Sequence, residues 1–160
     1  MMQFVENIIK GRLFGHPIHM MLVHFPAALF PVSAVLCLLS YIQSDSILSL
    51  FNFYIICTGT VIGWIALIFG LIDLLKFQKD KKPFMTGIIH GSLNTLWLSV
   101  FSVLGGIQIK FYPSIPVPSL TAVIIEIIVV LIMLYSNHLG GELVLRYSAG
   151  MDEDFKSGRF

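Results

Sequence analysis

The chain is expected to fold as an all-α integral membrane protein, an up-down four-helix bundle preceded by a short N-terminal amphipathic helix. Three observations predict this. Of its 160 residues, 56% are hydrophobic and 12% charged, with mean hydropathy +0.87, whereas soluble domains carry about 45–50% apolar and about 25% charged residues. Four apolar segments reach the roughly 20 residues an α-helix needs to cross hydrocarbon. The connectors between them are short, which makes neighbouring helices antiparallel. The formal net charge of +1 gives no basis for a nucleic-acid partner.

In chain order, Phe4, Val5, Ile8, Ile9 and Leu13 recur at helical spacing, as in a helix lying on a membrane surface; a frayed terminus is the alternative. Glu6 and the lack of a long apolar run ending in small residues argue against a secretory signal. The spans are expected at about 19–42, 48–75, 84–109 and 119–143. Gln43 to Ser46, Lys76 to Pro83 and the Pro-rich stretch Tyr112 to Pro118 connect them. Pro113, Pro116 and Pro118 cannot continue a helix. Residues 1–150 form one transmembrane domain and 151–160 a polar tail, with no internal repeat evident in the sequence. Gly59-x-x-x-Gly63 and Gly87-x-x-x-Gly91 have the spacing that lets membrane helices approach closely. Cys37 and Cys57 sit in separate apolar segments, where isolated cysteines act as small apolar packers. Without a Cys-x-x-Cys-His there is no c-type haem attachment.

Charge sets the orientation. Side X holds both termini and the second loop, with Lys10, Arg12, Lys76, Lys79, Lys81, Lys82, Arg146, Lys156 and Arg159. Side Y holds Lys110. Cytoplasmic loops are enriched in Lys and Arg, so nine against one places both termini in the cytoplasm.

Ionisable groups in membrane segments are costly and mark functional sites. Three of the five histidines, His16, His19 and His24, lie in one stretch leading into the first span. His16 precedes Pro17, is biased to extended backbone, and belongs to the mouth of a site. His19 lines the site or caps it. His24 lies roughly 7–8 Å further along the helix axis than His19, and His90 roughly 9 Å in from Phe84. Asp73 and His138 approach side X from the ends of the second and fourth spans, bringing polar groups from all four helices to one leaflet. Asn94 is one turn beyond His90 on the same face and suits a hydrogen bonder to it; Trp97 and Phe101 continue that face as packing. Asp73 is placed to orient a histidine by accepting its second ring proton, or to pair with a lysine. Pro26 kinks the first span beside the site. Glu126 lies apart, towards side Y, and suits a proton path, a quinone headgroup site or a subunit contact.

The run Gly15-His16-Pro17-x-His19-x-x-Leu22-Val23-His24-Phe25-Pro26 resembles the opening of the bacterial domain of unknown function 2231 family. Asp73 after Gly70, His90 in the third span and Gly140-Gly141-Glu142-Leu143-Val144 are also similar to it, so the resemblance spans about residues 11 to 150. Met20 stands where many relatives carry a second proline, and His138 falls outside the pattern. The resemblance implies a four-helix domain of the bacterial inner membrane without an assigned activity. Association of relatives with Rieske and cytochrome c modules implies redox work and such a partner.

Three functions remain open. The first is a b-type haem protein for electron transfer, linked to quinone, with His24 and His90 as axial ligands, Gly87 and Gly91 making room for the ring, and Asn94 nearby. All five histidines on side X argue for one haem. The second is a non-haem zinc, iron or copper site built from His19, His24, His90 and Asp73, with His16 and His138 as further donors. The third is a structural subunit, alone or as a homo-oligomer. A cofactor-binding or electron-transfer subunit fits better than a stand-alone enzyme.

Overall fold

The computed structural model describes residues 2–14, 16–77 and 81–149; Gly15, Lys79 and the polar tail 151–160 lie outside them. Helix α1 (Met2–Ile9) carries an i, i+4 ion pair from Lys10 Nζ to Glu6 Oε1 at 2.6 Å. Its Phe4, Val5 and Ile9 are exposed, as a surface-lying amphipathic helix requires. Gly11, at φ 77°, turns the chain into a two-residue hairpin, β1 (Arg12–Leu13) against β2 (His16–Pro17), with Leu13 opposite His16. The extended backbone before Pro17 follows from proline sterics; the pairing joins residues only three and five apart, Leu13 with His16 and Arg12 with Pro17.

The first membrane segment is broken. Helix α2 (Ile18–Leu22) ends at Val23, and α3 runs from His24 to Gln43. Pro26 has no N–H to offer the Leu22 carbonyl, so the hydrogen-bond ladder lapses one turn before it. Helix α3 stops at Ser44 in the left-handed conformation, φ 54°. Asp45 Oδ1 then accepts from the Ile47 N–H at 2.8 Å and starts α4 (Ser46–Leu74). Helix α5 spans Lys81–Gln108, and α6, capped by Ser119, spans Leu120–Tyr147. α6 thus reaches one turn beyond the expected end of the fourth span. Four helical stretches are long and apolar enough to cross a membrane, Ile18–Gln43, Ser46–Leu74, Lys82–Phe111 and Leu120–Tyr147.

α3 and α5 each pack against both α4 and α6, so the four helices form a square with α3 and α5 on one diagonal. Across that diagonal Phe30 and Phe101 stack, ring centres 3.9 Å apart and planes at 20°, with Trp97 edge-on to Phe30 at 5.3 Å. Ile56, Leu98, Val129, Val130 and Met133 complete this core. Gly59 matters here because a Cβ would lie 3.0 Å from Phe30 Cζ. Val35, Ile65, Val103 and Leu131 point outward and are exposed, which suits hydrocarbon as the surrounding solvent.

Phe30→Ala removes one half of a fully buried stack. We expect it to cost about 3 kcal/mol or more, read as an earlier midpoint in unfolding by denaturing detergent, with Phe30→Leu milder.

Candidate functional site

The side-X half of the bundle contains a cavity of about 690 Å³, lined by residues of all four spans, including His19, His24, Trp64, Asp73, His90, Asn94 and Trp97. Two imidazoles define it. His19 comes from the short helix α2 and His90 from α5, with ring centres 6.3 Å apart and planes at 82°.

Each ring is fixed by the neighbouring hairpin arm. His19 Nδ1 lies 2.8 Å from the carbonyl of Ala66 on α4, and His90 Nδ1 lies 2.8 Å from the carbonyl of Ser136 on α6. A carbonyl only accepts, so both Nδ1 atoms carry the hydrogen and both Nε2 atoms present a lone pair in the neutral ring. One turn beyond each carbonyl stands a glycine beneath the ring. A Cβ at Gly70 would come 2.9 Å from His19, and one at Gly140 would come 2.9 Å from His90. The two hairpins therefore repeat one device of histidine, carbonyl and glycine about an axis along the membrane normal. The stacked pair Phe30 and Phe101 repeats it too, each eleven residues after its histidine. This correspondence is positional; the residues between share too little to show as a sequence repeat.

His90 Nε2 accepts from Asn94 Nδ2 at 3.0 Å. The amide orientation follows from its other end, where Asn94 Oδ1 accepts from the Trp97 indole N–H at 2.8 Å and the Ser136 hydroxyl at 2.7 Å. The indole only donates, so Nδ2 must face His90. Asn94 thus acts on His90 as expected, and Trp97 does more than pack. Among the described residues nothing donates to His19 Nε2.

The other candidates are dispersed. His24 is exposed and lines the cavity at its rim. Asp73 is buried on the cavity wall, its Oδ1 beside the turn at Gly11. His16 in β2 and His138 on α6 are exposed and do not line the cavity. Gly91 opens onto free space, with nothing within 4 Å of where its Cβ would stand, whereas Gly87 packs against Leu74. Among the described residues no three His, Cys, Asp or Glu side chains converge as a metal cluster, so the set His16, His19, His24, Asp73, His90 and His138 is not gathered into one. Sequence reasoning missed Ala66 and Ser136, whose part is played by backbone oxygens, and Gly70 and Gly140 as ring seats. The only signal was a glycine four residues beyond a small residue near the end of an apolar helix.

The residues that fit a haem iron are His19 and His90. An imidazole nitrogen sits about 2.0–2.1 Å from a bound metal, which puts two ring centres across a metal about 6 Å apart. The ring centres here lie 6.3 Å apart, with Asn94 Nδ2 at His90 Nε2. Donation of the second ring N–H to a carbonyl is also the usual support of a ligating histidine.

The sequence model of a family described as "Predicted membrane protein (DUF2231)" matches residues 15–153. No curated protein and no solved structure matches the chain.

The paired geometry yields a spectroscopic expectation. Nitrogen-15 spectra of the ligand-free protein should show Nδ1 as the protonated, carbonyl-bonded nitrogen of both His19 and His90. Gly70→Ala should perturb the first and Gly140→Ala the second, each by pushing its ring from the carbonyl.

Proposed function

We propose that this chain, which belongs to the DUF2231 family of predicted membrane proteins, is a b-type haem protein for electron transfer, whose iron His19 and His90 would hold. One observation carries this reading: two imidazoles from opposite helices, each held through Nδ1–H by a carbonyl, face one cavity with centres 6.3 Å apart. A haem brings four nitrogens of its own and asks the protein for two ligands. A zinc or copper site asks for three or four, a set that does not converge among the described residues. His19 takes the place that depth alone suggested for His24, because the break at Val23 leaves His24 exposed at the rim.

On this reading His90 would exchange the Asn94 N–H at its Nε2 for the metal, and the open space beside Gly91 would leave room for the group. When bound, the group supplies a one-electron couple. The charge pattern favours both termini in the cytoplasm, and the resemblance to a bacterial family implies the inner membrane. Quinol in the bilayer, or a Rieske or cytochrome partner, would exchange the electron.

A structural subunit is the second reading, favoured by one observation: Trp97, Asn94, His90 and Ser136 already satisfy one another without a ligand.

Purification in mild detergent, followed by oxidised and dithionite-reduced spectra, separates the two. We expect a Soret band that shifts on reduction, is lost in His19→Ala and in His90→Ala, and persists in His24→Ala and His138→Ala. A colourless protein with stoichiometric metal would move the assignment to a non-haem ion. Absence of both pigment and metal would leave the structural subunit.

A further inference from the structure

The opposite half of the bundle holds a second buried polar group, unconnected with the histidines. Glu126 of α6 is 1% exposed, Asn52 of α4 is 2% exposed and Ser33 of α3 is fully buried. The three side chains close a ring. Ser33 Oγ is 2.6 Å from Asn52 Oδ1 and 2.9 Å from Glu126 Oε2, and Asn52 Nδ2 is 3.0 Å from Glu126 Oε1. The thiol of Cys37 on α3 also lies against Glu126.

Three contacts need three hydrogens. Asn52 supplies one from Nδ2 and Ser33 supplies one from its hydroxyl. With Glu126 ionised, Ser33 would have one hydrogen for two acceptors, and one pair of oxygens would face each other bare. Turning the Asn52 amide over reverses the ring and leaves the count unchanged. The third hydrogen must be the carboxyl's own, so the ring closes around a neutral acid. A neutral acid also avoids the cost of an unpaired charge away from water.

Asn52 is also a wall residue of a separate cavity of about 320 Å³, formed with Ser49, Gln108, Ala122, Ile125 and the proline-rich connector of side Y. Gln108 Oε1 is buried there without a hydrogen-bond partner among the described residues. A buried amide oxygen needs a donor, and this cavity, mostly apolar but with Ser49, Asn52, Gln108, Ser119 and Thr121 in its wall, has room for several waters, each about 30 Å³ of liquid volume. One side chain, Asn52, therefore stands between a side-Y cavity with room for water and a buried carboxylic acid.

We propose that Glu126 is a proton-holding site in exchange with water of side Y, with Asn52 as its gate. In each exchange the acid hydrogen passes to a cavity water while a hydrogen of that water returns to the carboxyl, so Glu126 stays neutral.

Infrared spectra of the detergent-solubilised protein, moved from H2O to D2O, test this. We expect a protonated-acid carbonyl band at neutral pH that shifts as the solvent is exchanged and is missing in Glu126→Gln. That variant should fold, because the Gln amide donates to Ser33 where the acid hydroxyl did. Carbon-13 labelling of glutamate carboxyls in the unaltered chain reads the same group if it does not. Asn52→Ala should speed the shift severalfold, and Ala122→Phe, which fills the cavity, should slow it severalfold. Absence of any acid band belonging to Glu126 would overturn the proposal. So would a band that stays unshifted in D2O, or exchange indifferent to both cavity variants.

Discussion

Two hydrogen bonds of 2.8 Å, from imidazole Nδ1–H to a helix carbonyl, organise the side-X half of this protein. In hydrocarbon a ring nitrogen has no water to turn to, so its partner must come from the fold. Ala66 and Ser136 provide it from carbonyls that also lie in helices, and an oxygen with two lone pairs can serve both roles. The consequence is rigidity: each ring has its tautomer and tilt set before anything binds. The glycines one turn on then follow, because a seated ring leaves no space for a Cβ at 2.9 Å. The break at Val23 follows as well, since it lets the short helix α2 turn His19 inward while α3 keeps a straight packing face against α4 and α6.

The helices were legible because hydrophobicity over twenty or more residues is a strong signal and the bilayer admits few alternatives. The caps Ser119 and Asp45, which start α6 and α4, emerged only from the structure. The membership of the site was legible in part. His90 and Asn94, four apart on one face, belong together as expected. His19 and His24 could not be ranked from depth, because the choice turns on the rotation of a helix about its axis, and Pro26 resets that rotation. Asp73 had the chemistry of a histidine partner, yet its position beside Gly11 depends on a hairpin that sequence reasoning missed. Glu126 stood out as costly, but its partners lie 74 and 93 residues away in sequence.

The correspondence between the hairpins explains why one site can sit on the bundle axis. His19 of α2 and His90 of α5 meet on the bundle axis, as Phe30 and Phe101 do about three turns deeper. A site on such an axis receives equivalent groups from both halves, which suits a ligand with two like faces. The departures are informative too. Asn94 has no counterpart after His19, so the two rings differ in what occupies Nε2 even though their carbonyl supports match.

The stacked phenylalanines have one more consequence. Together with Trp97, Ile56, Leu98, Val130 and Met133 they fill the middle of the bundle completely, with the histidines above and the Ser33–Asn52–Glu126 ring below. The one polar side-chain nitrogen in this plug, the Trp97 indole N–H, is already committed to Asn94, so nothing in it is free to carry a hydrated ion from one leaflet to the other. The protein can therefore keep reactive groups in both halves of the bilayer without short-circuiting the membrane, as a dielectric layer separates two plates.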